Sequence, residues 1–145
     1  MYKAVAEKYE NLTYNKETLN MILDILEEDK NTYRILEALV IDLRKKKKEN
    51  EKNKKTNEVI GLTKSIMYKT IKIDKTSKAS KDISDESNAK GQYITRKYAE
   101  NAINLLLGAG LICYDIKSKE IYYSLTVRGT QVCVLLKQNK LINIE

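Results

Sequence analysis

The sequence contains no histidine, proline or tryptophan, and its 145 residues include only two cysteines and five glycines. Without histidine, and with Cys113 far from Cys133, the common nucleophilic triads and zinc sites lack their bases and ligands. The stretch from Gly61 to Ser65 resembles the end of a phosphate-binding loop but lacks the glycine that Walker A requires directly before lysine. We therefore expect no enzyme activity, no metal site and no cofactor.

Long apolar runs are also missing. No run approaches the roughly 20 residues that cross a bilayer, and charged residues interrupt the first ten positions. The two cysteines lie in apolar surroundings, where an intracellular thiol usually behaves as a small hydrophobic group. These features predict a soluble, cytoplasmic protein with free thiols and no membrane partner.

The chain does have an excess of positive charge, with a formal net charge of +7 and a pI near 9.2. Lysine and arginine that neutralise phosphates release counterions from DNA, so this excess favours a polyanionic partner. The alternative is compositional, because abundant Lys, Asn, Ile and Tyr are what AT-rich coding DNA would encode. That bias does not account for the four arginines, which are Arg34, Arg44, Arg96 and Arg128.

The N-terminal half reads as two amphipathic helices separated by a break at residues 29–31. Asn15 or Thr13 is expected to cap the first helix, which ends near Glu28 and belongs to an N-terminal helical extension over residues 1–30. The second helix is predicted over residues 32–48. Two weakly apolar segments, the Lys-rich 44–58 and the Ser/Lys-rich 74–91, are expected to be flexible, although a frayed extension of the helix remains an alternative for the first.

Residues 59–73 lie between those two segments. Thr63 is expected to cap a short helix that carries Ile66, Met67 and Ile71, while the alternation of Ile71 and Ile73 leaves a strand open. We favour the helix.

The last third has the clearest pattern. Thr95 is predicted to cap a helix that ends at Gly108 or Gly110, followed by a strand over 111–116, a tight polar turn over 117–120 and a returning strand over 121–125. Thr126 then caps a last helix. Five apolar residues of that helix are expected to pack inward: Val127, Val132, Val134, Leu135 and Leu136.

This order of elements, a helix, a hairpin and another helix, is the plan of a winged helix-turn-helix. We therefore expect a mainly α fold with a small β-hairpin, in which residues 31–145 form the winged domain. Such a helix enters the major groove of double-stranded DNA, where Arg reads guanine and Asn reads adenine. The DNA-binding residues expected on this basis are Thr95, Arg96, Lys97, Asn101 and Asn104 on the helix, Lys117 and Lys119 on the wing, and Thr63, Lys64 and Ser65 at a helix N-terminus facing phosphate.

Each of these features has a plainer interpretation, because a polar helix face or a lysine in a turn is commonly just solvated. A winged domain can also serve as a protein-protein interaction module without DNA. Helix-turn-helix proteins usually read two half-sites, and the amphipathic helices offer apolar faces beyond the needs of one core. Both points favour a homodimer.

The residues from Tyr93 to Ile112, together with the ending Tyr123-Ser-Leu-Thr-Val-Arg-Gly129, resemble winged-helix regulators in general. More narrowly, the order of the block beginning at Thr32, the stretch Leu62-Thr-Lys-Ser65 and this C-terminal block is similar to the TubR family of centromere-binding adaptors in tubulin-like plasmid and phage partition systems.

This resemblance implies a dimer that binds repeated centromere sites, recruits a tubulin-like GTPase and represses its own operon. The matching positions would be Arg96, Lys97 and Asn101 on the recognition helix and Lys117 and Lys119 on the wing. The chain departs from the family in its N-terminal extension and in the length of the Ser/Lys-rich link. A simple transcriptional repressor is the alternative within the DNA-binding class.

Overall fold

A computed structural model of the chain describes residues 1–52, 58–74 and 92–144. In these ranges the protein is mainly helical, with one antiparallel two-stranded hairpin, which confirms the fold class predicted at that level. None of the helices described is both long and apolar enough to cross a membrane. The elements are α1 Lys3–Lys8, α2 Lys16–Glu27, α3 Asn31–Lys52, α4 Lys64–Thr70, α5 Arg96–Gly108, β1 Ile112–Lys117, β2 Glu120–Leu125 and α6 Val127–Gln138.

Three of the four predicted helix caps form. The side chains of Asn15, Thr63 and Thr126 accept hydrogen bonds from the backbone N–H groups three residues later, at 2.8, 3.2 and 3.1 Å. Each bond satisfies a donor that the first turn of a helix leaves without a partner. Thr95 occupies the N-cap position of α5, but its side chain makes no capping bond, so the prediction holds there only for the helix boundary.

The Lys-rich stretch continues α3, which runs to Lys52 and so extends past the predicted end. The helix also holds the turn that leads into α4. Asp42 accepts a hydrogen bond from Gly61 N–H at 2.8 Å, while Lys46 donates to Gly61 O at 2.9 Å and pairs with Asp42 at 2.8 Å. Of the predicted flexible segment 44–58, residues 53–57 lie outside the described ranges.

The hairpin has the predicted tight turn at its tip. The strands pair from Ile112 with Leu125 to Lys117 with Glu120, which leaves only two residues in the turn. Ser118 and Lys119 have φ values of 52° and 67°, as in the two-residue turns whose twist matches that of the flanking strands.

Both outer edges of this hairpin are paired by single bridges. Tyr2 lies parallel to Tyr114 on the β1 side, and Leu62 lies antiparallel to Tyr123 on the β2 side. Leu62 and Tyr123 exchange two backbone hydrogen bonds of 2.9 Å. The residues just before α4 are therefore attached to the middle of β2.

A second short pairing lies between α4 and α5. Ile73 N–H donates to Gln92 O at 2.9 Å and Ile94 N–H donates to Ile71 O at 2.8 Å, around a bridge between Lys72 and Tyr93. The helix stops at Thr70, so the extended alternative describes 71–73 better than the helix we favoured. Of the predicted flexible segment 74–91, residues 75–91 lie outside the described ranges.

The core is built around α3, which packs against α5, β2 and α6, and it also includes Ile22 and Leu26 of α2. Cys113 and Cys133 are buried free thiols, as predicted. On α6, Val132 and Leu136 are buried, but the prediction for Val127 and Val134 was wrong, because these side chains are 43% and 51% exposed. Residues seven positions apart share one helix face, and on α6 this face is more exposed than the face that carries Val132 and Leu136.

The junction between the hairpin and α6 explains the motif from Tyr123 to Gly129. Thr126 N–H donates to Leu111 O at 3.0 Å, and the Thr126 hydroxyl donates to Gly110 O at 2.7 Å. Gly129 then passes so close to Leu111 that an added Cβ would lie 2.0 Å from the Leu111 oxygen. The threonine and the glycine are thus both required to dock the start of α6 on the end of α5.

Arg128 in the same motif is buried and attaches the N-terminal segment. Its Nε donates to Gly110 O at 3.0 Å, and its Nη1 donates to Tyr9 O and Leu12 O, both at 2.9 Å. Nearby, the Tyr14 hydroxyl donates to Ala109 O at 2.7 Å. These bonds fix residues 9–14 against the end of α5 and the start of α6.

Replacing Gly129 by alanine should lower the free energy of unfolding by about 3 kcal/mol, because the new methyl group cannot fit without separating α6 from Leu111. Gly108→Ala is the matched control, since a Cβ there meets nothing within 4 Å and alanine is the better helix former. We expect this control to be unchanged or stabilised by up to about 1 kcal/mol. Urea unfolding measures both, and equal stabilities would contradict the close packing at Gly129.

Candidate functional site

The exposed face of α5 carries the side chains that the sequence singled out. Lys97, Asn101 and Asn104 are exposed and follow the i, i+4, i+7 spacing of a single helix face. Arg96 stands beside them with its side chain 81% exposed. The opposite face is buried in the core through four residues, Ala99, Ala102, Ile103 and Leu106.

Glu100 lies at the centre of the positive groups near the start of α5. Its Oε1 accepts a hydrogen bond from Arg96 Nε at 3.1 Å and lies 3.7 Å from Lys64 Nζ. Lys64 belongs to the first turn of α4, and its ammonium group also lies 6.0 Å from the centre of the Tyr123 ring. One carboxylate thus joins the starts of α4 and α5, next to β2.

The electrostatics of this cluster follow from that geometry. The hydrogen bond from Arg96, with the charge of Lys64 adding to it, lowers the pKa of Glu100 below its ordinary value. The same bond raises the pKa of Arg96. The three side chains carry a net charge of about +1 at neutral pH, and because they face water the pairing holds the cations in place without contributing much stability.

Glu100 was overlooked as a functional residue in the sequence. The spacing of four between Arg96 and Glu100 was the available signal, since such pairs meet on a helix surface. The contact with Lys64 joins residues 36 positions apart, and only the packing of α4 against α5 shows it.

The three residues predicted to bind phosphate at the start of α4 differ in exposure. Thr63 is only 7% exposed, and its hydroxyl oxygen accepts the capping bond from Ile66 N–H. Thr63 therefore forms the predicted cap of α4, and the phosphate contact predicted for it stays a prediction. Lys64 is partly exposed and Ser65 is exposed. Thr95 is partly buried at the start of α5.

The hairpin tip forms a separate positive region. Lys117 and Lys119 are both exposed, and Lys117 lines a cavity of about 470 Å³ together with Asp115 and Glu58. Among the described residues, no hydrogen bond or ion pair links the tip to α5. With a rise of about 3.4 Å per residue, the turn lies roughly 15 Å from Tyr123 along β2.

The arginines differ in burial and in their bonding partners. Arg128 is buried in the fold, and Arg34 is paired with Glu37 and Asp74 at 3.5 and 3.4 Å. Arg96 instead projects into solvent from the start of α5. Within the described ranges, no three His, Cys, Asp or Glu side chains lie close enough together to hold a metal ion.

The cluster can be tested directly by following the ionisation of Glu100. We expect its carboxyl group to titrate at a pKa below that of an isolated glutamate. Arg96→Met should return the pKa most of the way, because the bond from Arg96 is the largest cause of the shift, and Lys64→Met should return it less. Carbon-13 NMR of the carboxyl group measures these pKa values. If neither substitution changed the pKa of Glu100, the contacts with Arg96 and Lys64 would be contradicted.

Comparison of the chain with protein-family models, with curated proteins and with solved structures found no match. The function must therefore be inferred from the arrangement of this chain's own residues. They form a polar, cation-bearing helix face beside the start of a second helix, together with a separate basic hairpin tip.

Proposed function

We propose that this chain is a winged helix-turn-helix protein that binds double-stranded DNA in a sequence-specific manner, with α5 as its recognition helix. The observation that carries the proposal is the pairing of Leu62 with Tyr123. It is a single bridge that joins the residue two positions before α4 to the hairpin. With this bridge in the place of a first strand, the order helix, bridge, helix, recognition helix and two-stranded wing resembles the order of a winged domain.

The start of α5 offers suitable chemistry for base recognition. Side chains near the N-terminus of a recognition helix reach base edges in the major groove, where arginine can bond to two guanine acceptors and asparagine can bond to adenine. Arg96 and Lys97 are in the first turn of α5, and Asn101 and Asn104 continue the same exposed surface. We assign base contacts to these four residues.

We assign phosphate contacts to polar residues around that face. Lys64 and Ser65 at the start of α4 would meet the backbone beside the groove, and Lys117 and Lys119 would meet it at the wing. Thr63 would meet a phosphate only through its O–H donor, because its oxygen already accepts the capping bond. The formal charge of +7 adds a long-range attraction to any duplex.

Glu100 would give this surface its selectivity. In the free protein it holds Arg96 and Lys64, so an arbitrary phosphate must compete with a carboxylate for both cations. A carboxylate can also accept a hydrogen bond from the amino group of cytosine. The correct site would supply partners for all three side chains, whereas random DNA would not.

Arg96→Met should weaken binding to the preferred duplex by about 1–3 kcal/mol and weaken binding to random duplex less, as expected for a base contact. Lys119→Met should weaken both duplexes to the same extent and reduce the slope of log affinity against log salt by about one. Fluorescence anisotropy with duplexes from the gene's own neighbourhood measures both effects. Lys16→Met on α2 is the charge-matched control. If the unmodified protein failed to bind duplex even at low salt, the DNA proposal would be wrong.

Glu100→Gln should raise the affinity for random duplex by several-fold, because Arg96 and Lys64 become available and one repulsive charge disappears. The ratio of specific to random affinity should fall. Glu17→Gln on α2 removes the same charge away from the cluster, so it reports the effect of net charge alone. An equal increase in both variants would mean that Glu100 has no special role.

The biological role that fits the TubR resemblance is centromere binding in plasmid or phage partition, by a homodimer that recruits a tubulin-like GTPase. Exposed apolar side chains on α2 such as Met21 and Ile25 offer a surface for a second copy or a partner. A winged-helix transcriptional repressor remains the alternative within DNA binding. Several cooperative sites on one fragment, with capture of a GTPase encoded nearby, would support partition, and a single operator would support repression.

An interaction module without DNA binding is the alternative from another class. The observation in its favour is that Glu100 already neutralises part of the positive charge at the start of α5. The salt dependence of binding distinguishes the DNA-binding hypothesis from the interaction-module hypothesis. Counterion release makes DNA affinity fall steeply with salt, whereas docking through apolar surfaces is much less affected.

A further inference from the structure

A cavity of about 300 Å³ lies between α3, the end of β2, α6 and the C-terminal residues. Most of its wall is apolar and comes from Val40, Leu43, Leu125, Cys133, Val134 and Ile144. Burial raises the pKa of the Cys133 thiol to about 12, so this group stays neutral and the wall stays uncharged. An apolar cavity of roughly half this volume is enough to hold a benzene-sized molecule, and ligand pockets in proteins begin near this size.

The mouth of this cavity is positively charged. Arg44 and Lys137 line it and also line a neighbouring open cavity of about 640 Å³, so the two spaces meet at these side chains. The neighbouring cavity is otherwise lined by Lys45, Lys47, Lys48 and Glu51. Its wall therefore carries five basic groups against one carboxylate.

We propose that the apolar cavity and its basic mouth form a binding site for a small amphiphilic carboxylate, such as a medium-chain fatty acid. The hydrocarbon chain would lie between Val40, Leu125 and Val134. The carboxylate would remain at the mouth beside Lys137, where it keeps contact with water and avoids the cost of burying a charge.

The charge distribution selects this occupant over a second copy of the chain. A symmetric partner whose two-fold axis passed through the mouth would bring its own Lys45, Lys47 and Lys48 against the same lysines, and like charges brought together in an interface are unfavourable. A neutral hydrocarbon would use the cavity but not the mouth. Only a ligand with an apolar body and an anionic head uses both. This inference does not rest on DNA binding by α5.

Titration calorimetry of the full chain with octanoate tests the site, with 1-octanol and acetate as the matched ligands that lack the charge or the chain. We expect saturable binding of one octanoate, binding of octanol that is weaker by about threefold to fivefold, and none of acetate, since a partly exposed ion pair contributes up to about 1 kcal/mol. In parallel, amide chemical shifts of the unmodified protein should move at Leu125, Thr130 and Val134.

Two variants locate the ligand. Lys137→Gln should weaken octanoate by about threefold and leave octanol unchanged, while Lys16→Gln on α2 should change neither. Val134→Trp places a large ring over the cavity from an exposed helix position and should weaken both ligands by more than tenfold. If that variant did not fold, the amide shifts would still decide the location. Any of three results would overturn the proposal: no saturable binding, equal affinities for octanoate and octanol, or amide shifts confined to other regions.

Discussion

The guanidinium of Arg128 is buried where three parts of the chain meet, and no ion pair within the described residues neutralises it. Removing such a charge from water is costly unless its donors find acceptors, and here the carbonyls of Tyr9, Leu12 and Gly110 accept three hydrogen bonds from its Nε and Nη1. The position of α6, the end of α5 and the path of the N-terminal segment therefore depend on one another. Gly110 O also accepts a bond from the Thr126 hydroxyl, which links this centre to the hairpin and through it to the face of α5.

Much of the fold could be predicted from sequence because its signals are local. Caps such as Asn15 and Thr126 act within one helical turn, and the hairpin is marked by a polar turn between two apolar strands. The failures on α6 have an equally physical cause. Apolar residues are not confined to one side of that helix, so periodicity does not distinguish the buried face of Val132 and Leu136 from the exposed face of Val127 and Val134. The bridge that Leu62 makes with β2 could not be predicted, since no sequence pattern encodes a single long-range pairing.

For the candidate site, too, local patterns could be predicted from sequence and long-range contacts could not. Residue type and helical spacing were enough to identify the exposed face of α5, because that face is the complement of its apolar stripe. They also predicted that Thr63 caps α4, but they were not enough to find the carboxylate between α4 and α5. Net charge was a poor guide to individual arginines, since Arg128 and Arg34 serve the fold while Arg96 faces solvent. Exposure and bonding partners decide which cations are available, and these are properties of the packed chain.

The short pairing of residues 71–73 with 92–94 has a consequence for how this protein could change over time. Two backbone hydrogen bonds join the residues that follow α4 to those that precede α5, so this direct contact sets the spacing between the two helices. These bonds are made by backbone atoms, so they remain when the side chains change. The side chains of Lys72 and Tyr93 are exposed, so substitutions at these two positions could alter the surface beside α5 while the helix keeps its orientation.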